Sequence, residues 1–273
     1  MTFNPSILIF DTTLRDGELT PGVQFSSENK VKMAQQLEET GVNTIEVGYP
    51  GQRQKDLDDI VAVSQVIKKS VVCALSGSKT HEIQQAAKAL KKSQNSCINL
   101  YTLVNLKFAS KTLDEQTILS EINQSILFAK NYCSFVQWSA FDATRSDIDF
   151  LSQAIQTAIE SGAKIISIPD SLGIASPQEF YNLLQNLYQQ VPQLKQVTVS
   201  VHCHDDLGTA VDNSLIGLEL GVRQIECAVN GLGARKGNAN LAQVVDKIKS
   251  IRDFQTSVHT NLNSVQQLVN RLV

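Results

Sequence analysis

Short runs of β-branched and other apolar residues recur along the whole chain, and stretches with helical spacing of apolar residues separate them. Eight runs predict strands, and they cover residues 7–13, 42–48, 70–76, 97–103, 135–141, 164–170, 197–204 and 223–231. The first intervening stretch predicts a helix that is capped by Ser26 or Ser27 and ends at Gly41. Repetition of one strand–helix unit predicts a parallel sheet with right-handed crossovers.

Eight strand–helix units predict an α/β fold of the (β/α)8 TIM barrel class, which usually takes about 250 residues. A doubly wound open sheet is the alternative, but no G-x-G-x-x-G follows the first strand, and eight regular units exceed the usual number in that fold. The tail from about Thr256 to Val273 predicts one more amphipathic helix. Since no Pro/Gly/Ser-rich linker interrupts the chain, the sequence predicts a single domain.

Composition narrows the functional classes. The chain of 273 residues is 42% hydrophobic and 19% charged with a net charge of −3, so binding to nucleic acid or to an anionic membrane gains no support. No apolar run approaches the roughly 20 residues of a membrane helix, and the first residues do not resemble a signal peptide. The five cysteines are scattered and form no C-x-x-C pair, which is typical of reduced thiols. These features predict a cytoplasmic protein without nucleic-acid or membrane partners.

The segment VHCHDDLG places two histidines at the end of the seventh predicted strand. Because side chains alternate along a strand, the apolar residues there face the helices while His202 and His204 face the barrel interior. An isolated H-x-H pair is more often incidental than metal-binding. The position of this strand in the barrel therefore decides between the two interpretations.

Barrel closure makes the seventh, eighth and first strands consecutive neighbours. Asp16 follows the first strand, next to Arg15, and the glycine-rich loop after the eighth strand contains Asn230 and Asn238. A carboxylate, two imidazoles and an amide oxygen therefore meet at the carboxyl-terminal rim, where this fold carries its active sites. Two nitrogen and two oxygen ligands predict a catalytic divalent cation (Mg²⁺, Mn²⁺ or Zn²⁺) rather than a structural zinc held by thiolates.

Six motifs occur in order along the chain: DTTLRDGELTPG, IEVGYP, DATRSDIDF, IPDSLG, VHCHDDLG and NGLGARKGNANL. Over about residues 7–250 the sequence resembles the family of 2-isopropylmalate and homocitrate synthases, which is related to 3-hydroxy-3-methylglutaryl-CoA lyase. The resemblance is nearest the isopropylmalate branch. It implies a metal-dependent acyltransferase of leucine biosynthesis that condenses acetyl-CoA with a 2-oxo acid, and it implies a homodimer.

The resemblance also implies roles for individual residues of the rim. The implied metal ligands are Asp16, His202, His204 and Asn238. Arg15 and Glu46 belong to the implied catalytic set: Arg15 stabilises negative charge on oxygen, and Glu46 either orients Arg15 or handles a proton. The implied contacts with the substrate come from Arg15, Asn105, Ser139 and Ser171. Ser171 could instead cap the turn that follows it.

Four rim positions depart from the isopropylmalate branch. Phe141 stands where that branch has a glutamate, and alignment of the fourth strand puts Asn105 where it has a histidine. Gly77 and Ala234 replace an expected arginine and an expected glutamate. Since each paired charge is worth roughly 1.5–3 kcal/mol, these changes predict a different, more apolar acceptor or weak activity.

Two further functions compete with the condensation. The alternative is a lyase or aldolase of the same barrel family, although the loop after the eighth strand lacks the cysteine of the hydroxymethylglutaryl-type lyases. A metal-binding barrel without turnover is the third hypothesis, because Phe141 and Asn105 alter the rim. The longer synthases continue into a further subdomain and a leucine-binding regulatory domain. For this chain we expect neither, only a single catalytic barrel over residues 1–273 with a C-terminal helix.

Overall fold

Eight strands pair in parallel around a closed barrel in this computed structural model, which describes residues 6–107, 114–258 and 262–273. The strands are β1 Ser6–Asp11, β2 Thr44–Gly48, β3 Val71–Ser76, β4 Ser96–Leu103, β5 Phe135–Phe141, β6 Ile165–Asp170, β7 Thr198–Cys203 and β8 Val222–Cys227. Strands that follow one another in sequence are neighbours in the sheet, and β1 pairs with both β2 and β8. The predicted (β/α)8 barrel is confirmed.

The helices lie between the strands, as the apolar spacing predicts. They are α1 Ser27–Thr40, α2 Gln54–Val66, α3 Thr80–Leu90, α4 Glu115–Ala129, α5 Ile148–Ser161, α6 Pro177–Gln190, α7 Ala210–Ile216, α8 Leu241–Ser250 and α9 Asn263–Asn270. At α1, the Ser26 side chain accepts a hydrogen bond from the amide of Asn29, and Gly41 ends the helix in the left-handed conformation. Within the described residues, no helix has both the length and the apolar character needed to cross a membrane.

Each strand turns one set of side chains toward the helices and the other toward the barrel interior. On β7, Val199 and Val201 are fully buried in the main hydrophobic core. Ser200 and His202 alternate with them and form hydrogen bonds to Glu226, which lies inside the barrel on β8. The alternation therefore sorts apolar and polar side chains as the sequence predicts.

The barrel interior contains a buried polar network, whereas branched apolar side chains usually fill such interiors. Oε1 of Glu226 accepts hydrogen bonds from Gln137, Ser167 and Ser200 at 2.9, 2.6 and 2.9 Å. Gln224 donates to Gln137 at 2.9 Å and to Ser200 at 3.0 Å. Because all five side chains have hydrogen-bond partners, the main cost of burying them is removed.

The C-terminal tail differs from the single helix predicted over residues 256–273. Gln255–Thr256 form a short strand, β9, which pairs in parallel with Ser6 and Ile7 of β1, and α9 begins only at Asn263. The pairing of β1 with β8 begins at Leu8, so the backbone of the first two residues of β1 is left to pair with β9. The prediction is right in the type of element and wrong in its start, and residues 259–261 lie outside the described ranges.

Candidate active site and metal centre

Three potential metal ligands converge at the carboxyl-terminal rim of the barrel. His202 lies on β7, His204 follows that strand, and Asp16 lies in a short 3₁₀ turn after β1. The Nε2 atoms of the two histidines are 3.3 Å apart, and Asp16 Oδ2 lies 3.9 Å from His204 Nε2. All three side chains are buried, and their ligand atoms lie within 4.8 Å of one another. The structure therefore brings together residues that are almost 190 positions apart in the chain, as barrel closure predicts.

Hydrogen bonds to the outer nitrogens determine the tautomers of both histidines. His202 Nδ1 lies 3.0 Å from Glu226 Oε2, and His204 Nδ1 lies 3.1 Å from the carbonyl oxygen of Gly237. Because a carboxylate and a carbonyl oxygen accept hydrogen bonds, each Nδ1 donates, and in the neutral form of each ring the Nε2 lone pair faces the cluster. Two lone pairs at 3.3 Å repel each other unless a positive charge lies beside both. This arrangement fits a divalent metal ion.

Asn238 offers a fourth ligand atom. Its amide nitrogen donates to Asp16 Oδ2 and, at 2.8 Å, to the carbonyl oxygen of Leu232. Its Oδ1 is buried and has no hydrogen-bond partner among the described residues. A buried acceptor without a partner is costly, and a cation beside the cluster would remove that cost. Asn230, the other amide of this loop, instead donates to Asn270 on α9.

The loop after β8 reaches the cluster because glycines let it pass close to the ligands. The backbone N–H of Asn238 donates to the carbonyl oxygen of Gly231 at 2.9 Å. The backbone N–H of Ala239 donates to the carbonyl oxygen of Cys203 at the end of β7. Gly237 has a φ of +96°, which side-chain-bearing residues rarely adopt. A Cβ atom at Gly233 would lie 2.1 Å from Asn238 Nδ2 and 2.7 Å from Asp16 Oδ2. These positions therefore require glycine.

Arg15 lies next to the cluster, and two carboxylates hold its guanidinium. Its NH1 group lies 3.0 Å from Asp16 Oδ1, and its Nε lies 2.7 Å from Glu46 Oε2. Glu46 is fully buried and also accepts hydrogen bonds from Thr12 and Asn99, at 2.8 and 2.9 Å. Arg15 lines the cavity at the rim, whereas Glu46 lies behind it. This geometry suits a positioning role for Glu46.

The charges in the cluster favour binding of a cation. Burial alone would raise the pKa of Asp16, but Arg15 and the two imidazoles outweigh it and lower that pKa to about 2. Burial and the neighbouring His202 lower the pKa of His204 to about 4, so this ring is neutral at physiological pH. Burial also lowers the pKa of His202, but Glu226 outweighs this and raises it, so a metal competes with a proton there. An ionised carboxylate and a neutral imidazole are the forms that bind metals.

A cavity of about 470 Å³ opens at the rim beside these ligands. Its polar side is lined by Arg15, Asp16, Asn99, His202, His204 and Glu226. Larger cavities of about 570 and 630 Å³ lie elsewhere, the first of them at the amino-terminal ends of the strands. Active sites of this fold lie at the carboxyl-terminal rim, so the rim cavity is the candidate site.

Of the residues predicted to contact substrate, Ser139 and Ser171 line the cavity and Asn105 does not. Ser171 Oγ accepts a hydrogen bond from the amide of Asp142 at 2.9 Å, which leaves its proton free to be donated. Asn105 lies beyond the end of β4, is buried, and donates to Asp142 Oδ2 at 2.8 Å. The amide of β4 that lines the cavity belongs to Asn99. Asn99 therefore faces the candidate site, and Asn105 lies behind the rim against Asp142.

The other departures from the isopropylmalate pattern have clear structural settings. Phe141 and Ala234 line the cavity, and the Phe141 side chain is half-exposed there. A Cβ atom at Gly77 would lie 2.1 Å from Glu82 Oε2 and 2.9 Å from the hydroxyl oxygen of Tyr49. That hydroxyl donates to Glu82 at 3.0 Å. Glu82 and Tyr49 thus fill the space that a side chain at position 77 would need.

Sequence reasoning missed two polar residues of the site, Glu226 and Asn99. Glu226 is the register partner of His202 on the adjacent strand. On β8, Gln224 and Glu226 alternate with Ile225 and Cys227, which is the pattern that predicted the inward histidines on β7. The same alternation argument could therefore have identified Glu226.

Comparisons with known proteins place this site in context. The family model described as HMGL-like matches residues 6–271. The chain is 39% identical over 261 residues to a 2-isopropylmalate synthase of Aquifex aeolicus (strain VF5), covering 94% of this chain and 50% of that protein. It is 37% identical over 273 residues to a 2-isopropylmalate synthase of Carboxydothermus hydrogenoformans, covering 97% and 53%. The chain therefore spans about half the length of the curated relatives it matches.

Solved structures share the architecture at lower identity. An HMG-CoA lyase of Bacillus subtilis has a TM-score of 0.79 at 20% identity, covering 99% of this chain and 92% of that one. An HMG-CoA lyase of Acinetobacter baumannii, in complex with coenzyme A and 3-methylmalate, has a TM-score of 0.79 at 16% identity, covering 100% and 92%. At these identities the likeness is one of fold.

Proposed function

Because this chain belongs to the HMGL-like family, we propose that it is a divalent-metal-dependent transferase of the 2-isopropylmalate synthase type, which condenses acetyl-CoA with a 2-oxo acid. One observation carries the proposal. Two imidazole Nε2 atoms and the Asp16 carboxylate meet beside Arg15 on one cavity. Asn238 contacts Asp16 through its side-chain nitrogen, and its Oδ1 has no hydrogen-bond partner among the described residues. Such a set of nitrogen and oxygen donors suits Mg²⁺, Mn²⁺ or Zn²⁺.

The residues of the rim have distinct roles in this reaction. The cation would be held by Asp16, His202, His204 and Asn238. When bound, it supplies Lewis acidity that polarises a carbonyl oxygen of the acceptor. Arg15 faces the same cavity, and Glu46 fixes its guanidinium. Its charge is therefore already oriented to stabilise the negative charge that condensation develops on oxygen.

Two hydroxyl groups complete the recognition of the acceptor. Ser139 and Ser171 line the cavity and can donate hydrogen bonds to the acceptor carboxylate. Ser171 is held by its hydrogen bond from the Asp142 amide, so its oxygen has little freedom to move. The resemblance to the isopropylmalate branch extends the proposal to leucine biosynthesis in the cytoplasm, with residues 1–273 as the catalytic barrel of a homodimer.

Release of free thiol from acetyl-CoA tests the proposal. The full chain is incubated with acetyl-CoA, a divalent metal and a panel of 2-oxo acids, and thiol release should require both metal and acceptor. Arg15→Gln should lower kcat by about 10²–10³-fold, because it removes a preorganised positive charge. Arg271→Gln is the matched control, since it removes the same charge at an exposed position of the C-terminal segment. No thiol release with any acceptor and metal would reject the proposal.

A metal-binding barrel without turnover is the second candidate. Phe141 and Ala234 favour it, because both are uncharged residues on the cavity where the isopropylmalate pattern has carboxylates. Calorimetry would distinguish the two functions. Heat of 2-oxo acid binding without any thiol release would support binding alone, whereas metal-dependent thiol release would exclude it.

A further inference from the structure

Three aromatic side chains form one continuous wall of the rim cavity. Tyr49 follows β2, Tyr101 lies on β4, and Phe141 ends β5. The rings of Tyr49 and Tyr101 have centroids 6.0 Å apart at 88°, and those of Tyr101 and Phe141 are 6.1 Å apart at 67°. Both contacts are edge-to-face, which is a favoured geometry for aromatic pairs. We call these three residues the aromatic wall.

Two residues of the aromatic wall, Tyr101 and Phe141, lie across the barrel from the metal-ligand cluster, and Tyr49 extends the wall toward β2. The ligands of the cluster come from β7 and from the segments after β1, β7 and β8, whereas β4 and β5 are the strands farthest from the pairing of β8 with β1 in the closed sheet order. Tyr101 and Ser139 are register partners, and Phe141 follows Ser139 on the same face of β5. The cavity thus has a polar side that carries the cluster and an aromatic side opposite to it.

Much of the remaining lining is also apolar. Besides the wall and the two hydroxyl groups of Ser139 and Ser171, five apolar residues line the cavity: Leu19, Leu75, Pro169, Leu172 and Ala234. Phe141 is 45% exposed, so an apolar ligand group would bury surface that now faces water. A volume of about 470 Å³ also exceeds what the smallest 2-oxo acids fill.

The basic side chains lining the cavity are already paired. Arg15 contacts Asp16 and Glu46. Arg235 lies 3.0 Å from Asp206 and donates to the carbonyl oxygen of Ser171 at 2.8 Å. Among the described residues that line this cavity, no cation is therefore left on the aromatic side for a second carboxylate of the acceptor. An unpaired carboxylate in such a place is strongly disfavoured.

From this two-sided cavity we infer that the acceptor is a monocarboxylic 2-oxo acid with a bulky, aryl-bearing apolar side chain, and that Phe141 determines this specificity. The inference rests on the proposed function, which places the polar head of the acceptor at Arg15 and the metal-ligand cluster. The side chain then extends to the aromatic wall, where its ring continues the edge-to-face series. Tyr101 also lines the cavity and positions Phe141 through the edge-to-face contact of their rings.

Binding of acceptors without acetyl-CoA tests the inference. The full chain, saturated with a divalent metal, is titrated calorimetrically with pyruvate, phenylpyruvate, 2-oxo-4-phenylbutanoate and 2-oxoglutarate. We expect the two aryl acids to bind at least about tenfold more tightly than pyruvate or 2-oxoglutarate. Phe141→Ala should remove about tenfold of this preference while changing pyruvate binding little.

Phe135→Ala is the matched control. Phe135 is the same residue type at the other end of the same strand, where it is 56% exposed and lines the cavity at the amino-terminal ends of the strands. Its truncation should leave the order of affinities unchanged. Equal affinities along the series, tightest binding of 2-oxoglutarate, or a Phe141→Ala variant with the wild-type preference would overturn the inference.

The same titrations separate this inference from the proposed function. Preferential binding of aryl acids without thiol release would support the acceptor class and reject the condensation. Thiol release that is fastest with pyruvate or 2-oxoglutarate would support the condensation and overturn the acceptor class.

Discussion

Glu226 accepts the hydrogen bond of His202 Nδ1 with one oxygen and three hydrogen bonds from inside the barrel with the other. It therefore links the tautomer of a potential metal ligand to the interior network. Removing such a carboxylate typically weakens metal binding by about 10–100-fold, because the histidine loses both orientation and basicity. The residue is thus as important to the site as a direct ligand.

We therefore predict that Glu226→Gln lowers metal affinity by about 10–100-fold. The glutamine amide has no charge, and its NH₂ group would face side chains that already donate hydrogen bonds to this position. Titration of the metal-free protein with Mn²⁺ or Zn²⁺ measures the change. Glu219→Gln is the matched control, since Glu219 is exposed near α7, and it should bind metal like the wild type. Unchanged affinity in Glu226→Gln would contradict the assigned role.

A second single residue, Asp11, should make the stability of the protein depend on pH. It is fully buried on β1, and burial raises its pKa from 3.8 to about 7 despite hydrogen bonds from Thr13. Between these values the folded protein retains a proton that the unfolded chain releases. The free energy of unfolding should therefore fall as the pH rises through this window, by on the order of 3 kcal/mol between about pH 5 and about pH 8.

Asp11→Asn should flatten this dependence, because the amide is neutral throughout. Urea unfolding at the two pH values measures it. Asp246→Asn removes an exposed carboxylate on α8 and should keep the wild-type dependence. If Asp11→Asn loses as much stability between the two pH values as the wild type does, burial of Asp11 is not the cause.

In the loop between β8 and α8, a glycine makes room for a potential metal ligand of the same loop. Asn238 reaches Asp16 only because Gly233 leaves room for both side chains. We predict that Gly233→Ala lowers metal affinity about tenfold or more, since the new methyl group must displace the Asn238 amide.

Gly22→Ala is the control. Gly22 has open space around it and a φ of +84°, so its substitution should cost stability by about 1 kcal/mol and leave metal affinity unchanged. Calorimetric metal titration of both variants checks this, and equal affinities would contradict it.

Individual elements also show how far the sequence determines the site. Alternation on β7 predicted the inward histidines, because the period of a strand is independent of its surroundings. On β4, alignment with the family predicted Asn105 as a rim residue, because the sequence does not show where the strand ends relative to its neighbours. Pairing with β5 ends at Leu103, so Asn105 lies past the rim and is buried against Asp142. The start of α9 could not be predicted for a similar reason. The residues before it form β9, which pairs with the part of β1 that extends beyond β8.

For the whole molecule, the metal-ligand cluster joins the two ends of the barrel. Asp16 and Asn238 are separated by 222 positions in sequence, and they meet across the seam where β8 pairs with β1. A cation bound there would connect the first and last strands. Links that close long segments of chain restrict the unfolded state most, so a metal at this seam should stabilise the barrel as a unit.

Metal should therefore raise the thermal stability of the full chain. A ligand at about 100 times its Kd stabilises the native state by about 2.7 kcal/mol, which in a barrel of this size corresponds to roughly 5 °C in Tm. We expect this rise with Mn²⁺ or Zn²⁺, and its loss when a chelator removes the ion. Asp16→Asn should unfold at the same temperature with and without metal, whereas Asp58→Asn, an exposed carboxylate on α2, should respond like the wild type. A Tm of the wild type that is identical in metal and in chelator would mean that the seam binds no ion. The cost of the unpartnered Asn238 oxygen would then need another explanation.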